Sequence, residues 1–273
     1  MKNMSIALLI LLASSIWMII GFNQTDSKTQ QVSPQTQHTK NTTLTASVNR
    51  INEIPLPEGY KRVEPEKGSF AEWLGNIKLR KDNTVYLYNG TPKDRQDLHY
   101  RVLDISTGKK DLQQCADCIM RLKAEYYFER KEYNKIVFPA NNGSEYSFEI
   151  HAHKHNLCRS HDCLLQFLET VFTYCGTYTI QQITKPVNIH EMQIADVFLK
   201  AGSPGHAMIV TDMAANATTG SKIYLLAQGY MPAQDMHIVI NPTNETLSPW
   251  YEVNDAAKIV TPGWIFEPEQ LRR

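Results

Sequence analysis

Between Ala195 and Gln234 the chain alternates short apolar runs with Gly and Pro punctuation. Val197-Phe198-Leu199 and Ala207-Met208-Ile209-Val210 flank a Gly-Ser-Pro-Gly turn, and Ile223 to Ala227 follows a loop closed by Gly220. Apolar runs of this length bounded by turn residues predict buried strands, here an antiparallel strand, turn, strand, loop, strand unit. Two polar residues stand at the ends of these runs. His206 opens the second strand directly after a glycine, and Gln228 closes the third. An imidazole and an amide at one end of a sheet can orient and protonate a group held between them.

The same patterning predicts the flanking elements. An extended start near Ile51 leads to a short helix capped by Ser69 and carrying Phe70, Trp73 and Leu74, then to strands at Val85–Tyr88 and Arg101–Ile105. From Asp111, apolar residues at three-and-four spacing (Leu112, Cys115, Ile119, Leu122, Tyr126) predict a core-facing amphipathic helix. Strands are expected at Lys135–Pro139 and Tyr146–His153, and a second helix, capped by Asp162, shows Leu164, Phe167, Leu168, Val171 and Phe172 on one face. Thr177–Ile183 and Pro186 lead back to Ala195. After Gln234 come a strand at His237–Ile240 and a tail whose Trp250, Tyr251, Trp264 and Phe266 are expected to cover the sheet. The fold class is therefore α+β, an antiparallel sheet packed on helices.

Composition adds the domain plan. Residues 1–22 read Met-Lys-Asn followed by an apolar run, the form of a signal peptide or signal anchor. Residues 23–50 hold seven Thr and almost no large apolar side chain, which predicts a flexible tether; residues 51–273 form one globular domain. The bulk of the chain is expected outside the cytoplasm, periplasmic or envelope-bound, touching membrane only through the N-terminal segment. Lys plus Arg equal Asp plus Glu, 28 against 28, so the basic excess of a nucleic-acid binder is missing. No cofactor is expected.

Two regions carry further chemistry. Cys115 lies in the first turns of its helix, where unpaired amides and the helix dipole favour a thiolate; it also forms a C-x-x-C with Cys118, a weaker redox signal because no strand leads into it. The segment HAHKHNLCRSHDC packs His151, His153, His155, Cys158, His161 and Cys163 into thirteen residues. On an extended segment the first three would share one face as zinc ligands, yet the spacing matches no structural zinc pattern. A hairpin tip with a Cys158–Cys163 disulfide is the plainer expectation, and no metal site is assigned.

The order of a helix-borne cysteine, I-A-D-V-F-L at 194–199, P-G-H-A-M-I-V at 204–210 and a polar residue on the next strand resembles the NlpC/P60 group of papain-like cysteine hydrolases, with Ala195 where those proteins place a glycine. The resemblance implies a papain-like architecture and a thiol, an imidazole and an orienting polar residue in one site. More closely, DLQQCAD at 111–117, RLKAEY at 121–126, SPGHAMIV at 203–210, LLAQGYMPAQ at 225–234 and SPWY at 248–251 are similar to a bacterial domain-of-unknown-function family numbered 4846. That resemblance brings no activity, but it groups Cys115, His206 and Gln228. Cys163, at a helix start after Asp162, is the competing thiol.

Two functions are therefore expected in competition. In the first, an exported cysteine hydrolase cleaves an amide, with cell-wall peptide as substrate: Cys115 or Cys163 attacks, His206 moves the proton and Gln228 holds the ring. In the second, a non-catalytic envelope module binds glycan or peptide through His206, Gln228, Tyr230, Gln234 and Trp250. A metal-dependent role for the His151–Cys163 cluster is a third.

Overall fold

The computed structural model describes residues 48–140, 142–255 and 258–273. The expected signal segment 1–22 and nearly all of the tether 23–50 lie outside the described residues. The last tether residues belong to the fold: the Asn49 carbonyl accepts from the Leu79 amide at 2.7 Å, and Arg50 pairs with Lys78.

In chain order the strands are β1 (Tyr60–Arg62), β2 (His99–Val102), β3 (Val137–Pro139), β4 (Glu145–Ser147), β5 (Val197–Lys200), β6 (His206–Asn216), β7 (Lys222–Gln228), β8 (His237–Val239), β9 (Tyr251–Glu252), β10 (Ile259–Thr261), β11 (Trp264–Phe266) and β12 (Leu271–Arg272). The helices are α1 (Phe70–Gly75), α2 (Cys115–Glu129), α3 (Phe148–Lys154), α4 (His161–Tyr174) and α5 (Thr177–Ile183). The main sheet is antiparallel in the order β12-β5-β6-β7-β8-β2, with β1 added to the far part of β6 and β9 to β7. The architecture is thus mixed α+β with an antiparallel sheet and helices against it.

The long strand β6 is buried from His206 through Ala214 because both of its faces are covered. Ala207, Ile209 and Ala214 join the core formed with α2 and α4, whereas Met208, Val210 and Met213 join a second core with Phe198, Tyr224, Phe266 and Leu271. Alternating side chains of one strand therefore feed two cores, and this is why its sequence reads as a continuous apolar run. The aromatic tail does cover the second face, except that Trp250 belongs to the first core.

Two glycines set how closely elements meet at the end of this sheet. A Cβ on Gly205 would stand 2.4 Å from the Gly202 carbonyl oxygen, so the tight turn into His206 requires glycine there. A Cβ on Gly229 would stand 2.3 Å from Cys118 Sγ and 3.3 Å from the Gln114 carbonyl oxygen, so glycine directly after Gln228 lets the first turn of α2 press against the end of β7. Ala195, in place of the glycine of the resembled pattern, has φ 81°, a left-handed conformation that costs an alanine roughly 1–2 kcal/mol.

Several expected elements differ. The strand at Tyr146–His153 ends at Ser147 and the chain turns into α3, so His151, His153 and His155 lie on and just past a helix rather than on one strand face. Val85–Tyr88 makes only isolated bridges, Tyr86 with Pro92 and Leu87 with Gln234. The segment Thr177–Ile183 is helical, and α4 is capped by Ser160, whose Oγ accepts from the Cys163 amide at 3.2 Å, not by Asp162. Helix α2 starts at Cys115, four residues after Asp111, which makes Cys115 its first helical residue.

Candidate active site

At the end of β6, β7 and β8 a row of buried side chains is joined by hydrogen bonds. Gln228 and His237 are cross-strand partners in the β7–β8 register. The His237 Nδ1–H donates to the Asp235 carbonyl oxygen at 2.8 Å, and this leaves Nε2 to accept from Gln228 Nε2 at 3.3 Å. Gln228 Oε1 then faces His206 and accepts from its Nε2–H at 2.7 Å. A backbone carbonyl, which can only accept, thereby fixes the tautomers of both imidazoles and the orientation of the amide between them. The consequence is that His206 Nδ1 carries the free lone pair, with no protein hydrogen bond among the described residues. Asp235 anchors the row: its carboxylate takes Arg80 Nη1 at 2.7 Å, the Tyr86 amide at 2.9 Å and Thr107 Oγ1 at 3.0 Å.

Aromatic rings enclose His206. Its ring centre lies 5.1 Å from that of Tyr230, 5.3 Å from Trp264 and 5.9 Å from Phe266. Burial among them drives its pKa down to about 4, against which the Gln228 contact works only partly. His237, fully buried, is held at about 3 for the same reason.

His206 lines a cavity of about 810 Å³ together with Cys115, Gln114, Asp117, Tyr230 and Trp264. The Cys115 thiol faces the backbone amide of Ala207, the residue after His206, and the amides of Cys115 and Ala116 at the helix start. Those amides favour the thiolate, but desolvation by burial outweighs them and the Asp117 carboxyl adds to it, so the thiol pKa is raised. The expectation that the helix start yields a low-pKa thiolate is corrected here: at rest the Cys115 thiol and the His206 imidazole are both neutral. Asp117 is 6% exposed, its Oδ2 accepts from the Gln114 amide at 3.0 Å, its Oδ1 is buried without a partner, and burial raises its pKa to about 7.

The other sequence-derived positions separate. Cys163 does not line the cavity; it is buried in α4, and its S–H donates a hydrogen bond to the Cys158 sulfur. Both are free thiols, so the expected disulfide is not formed, and Cys118 is buried against Gly229 and is likewise free. Trp250 is 1% exposed with its indole N–H donating to the Pro55 carbonyl at 2.9 Å, a core position out of a ligand's reach. Tyr230 is on the cavity wall, and Gln234 lines a smaller neighbouring pocket. In the His/Cys-rich segment, the His151 and His155 rings meet at a tilt of 34° with centres 4.4 Å apart while His161 turns to Glu125 at 2.8 Å. Among the described residues no three His, Cys, Asp or Glu side chains are placed to share a metal ion.

Sequence reasoning missed His237, Trp264 and Asp117. The strand pairing held a signal for the first, because two predicted strands ending at Gln228 and starting at His237 must bring those residues opposite each other in a hairpin. Comparison with curated proteins and with solved structures returns no match. A family model described as a domain of unknown function (4846) matches residues 51–273, and the chain belongs to that family.

Proposed function

We propose that this protein is a papain-like cysteine hydrolase of the cell envelope that cleaves an amide bond, with cell-wall peptide as the substrate class. One observation carries the reading: His206 gives its Nε2–H to Gln228 and keeps Nδ1 free in the same cavity that holds the Cys115 thiol. That is the tautomer a general base needs. In the proposed reaction Cys115 Sγ attacks the carbonyl carbon as its proton passes to His206 Nδ1. The amides of Cys115 and Ala116 stabilise the oxyanion, and the imidazolium returns the proton to the leaving amine. Water, deprotonated by His206, then hydrolyses the thioester and restores the thiol. Because burial disfavours both thiolate and imidazolium, proton transfer accompanies attack instead of preceding it. The resemblance to NlpC/P60 proteins and the apolar N-terminal run support the envelope assignment.

The test is turnover of peptides released from bacterial cell walls, followed by mass spectrometry. Cys115→Ala and His206→Ala are expected to abolish it and Cys163→Ala to leave it intact. Turnover surviving in Cys115→Ala would overturn the assignment. The exposed Tyr178 and Met231 at the cavity, with Tyr230 and Trp264 inside, favour glycan or peptide binding without chemistry as the second reading. Saturable binding that is unchanged in Cys115→Ala, with no turnover by the unaltered chain, selects it.

A further inference from the structure

A second pocket of about 290 Å³ adjoins the cavity. Tyr230 and Met231 line both spaces, and Gln228 lines the smaller one while bonding His206 of the larger. Its walls are mostly apolar, from residues such as Leu87, Leu98 and Pro262, and two of its lining residues, Lys93 and Gln234, carry side-chain donors with no acceptor among the described residues. Gln234 is 2% exposed, and its buried Nε2 has no hydrogen-bond partner among the described residues. A buried amide left unpaired costs stability, and binding sites are where that cost is tolerated. Lys93 is half-buried with its ammonium partly desolvated, and no carboxylate lies within ion-pair distance of it among the described residues. Its neighbour Arg95 is already engaged by Asp97 at 2.6 and 2.7 Å, and Asp94 at the rim is exposed to water. One cation with no bonded carboxylate, which feels the charges of Asp97 and Arg95 at longer range, and one unpaired amide in an apolar pocket suit a monoanion with an apolar stem. A phosphate would need more donors than these.

We propose that this pocket is a subsite for a carboxylate of the ligand, held by Lys93 and Gln234. Resting on the hydrolase reading, it further implies a substrate whose carboxylate lies on one side of Tyr230 and whose scissile amide lies on the other, beside Cys115. An occupant would touch Gln228 and so stabilise the amide orientation that sets the His206 tautomer.

Calorimetric titration of the Cys115→Ala chain tests the subsite without turnover. The probes are N-acetyl-alanyl-alanine and 4-methylpentanoate, each against its amide counterpart. The acids are expected to bind about tenfold or more tightly than the amides, as one charge-assisted contact provides. Lys93→Met should remove that preference and Arg95→Met should keep it. Equal affinity for acid and amide, no saturable binding of either acid, or a preference that survives Lys93→Met overturns the proposal. If Lys93→Met does not fold, the matched probes on the parent chain decide. A preference in Cys115→Ala alongside no amide cleavage by the unaltered chain would keep the subsite and remove the hydrolase. Cleavage indifferent to the carboxylate would do the reverse.

Discussion

The chain holds two groups of histidines that the fold treats in opposite ways. His151, His153, His155 and His161 fall within eleven residues, yet α3 and the start of α4 do not gather them into one site: the rings of His151 and His155 meet at a tilt and His161 turns to Glu125. His206 and His237 are thirty-one residues apart, yet the strand register brings them to the two sides of a single amide, Gln228. The helical repeat sends near neighbours to different directions, whereas antiparallel pairing joins distant residues on one face. Local density of ligating residues is therefore a poor marker of a site, and position in a strand register is a better one.

The largest expected effect breaks this comparison most directly. His206→Ala should lower turnover of the cell-wall peptide by about 10³-fold or more, since a base acting with its nucleophile cannot be replaced by solvent. The combined variant His151→Ala, His153→Ala, His155→Ala should stay within about twofold of the parent. The reverse ranking in steady-state kinetics would place the chemistry at α3. Next in size is Gly229→Ala. Its Cβ meets Cys118 Sγ at 2.3 Å, so α2 must withdraw from β7, with an expected loss of about 1–3 kcal/mol of stability in denaturant titration. A variant as stable as the parent would show that the packing of α2 against the end of β7 does not depend on this glycine.

How much of this was legible in the chain follows from the same contrast. The run from Val197 to Ala227 announced β5, β6 and β7 because Gly and Pro bound each strand and both faces of β6 are buried. The amphipathic stripe announced α2 but placed its start early, because nothing in the local pattern reveals that Asp111 is spent on the Ala233 amide, at 2.7 Å, instead of on a helix cap. Cys115 and His206 could be grouped by resemblance alone. The raised thiol pKa could not, since desolvation depends on the rings and strands that enclose the cavity. The segment Tyr146–His153 predicts a strand because alternating residues in HAHKH fit a strand period as well as the single pass of a two-turn helix, whereas the chain is helical from Phe148.

A smaller effect sharpens the role of the row. His237→Leu removes the acceptor that orients Gln228 Nε2, so the amide can flip and present its NH₂ to His206. Turnover should fall about tenfold, the worth of one hydrogen bond, with KM little changed. A KM change without a kcat change would make His237 a packing residue only.

The smallest effect concerns what titrates near neutrality. His206 at about 4 and His237 at about 3 are neutral throughout the physiological range, so the acid limb of kcat/KM should fall near pH 4, not near the ordinary histidine value of 6.5. Their depressed values mean that the unfolded chain binds more protons between the folded and ordinary values, so these two groups make stability rise with pH up to about 6.5. Asp117 acts with the opposite sign. Its folded value near 7 stands above the ordinary 3.8, so the folded chain binds the extra proton and stability falls as pH rises through that window. Asp117→Asn keeps an acceptor for the Gln114 amide and abolishes the titration. The melting temperature of the parent minus that of Asp117→Asn should therefore decrease between about pH 5 and pH 8. Parallel curves would mean that the carboxyl is solvated when folded. It would then be ionised beside Cys115 at neutral pH, and its charge would have to be overcome in forming the thiolate.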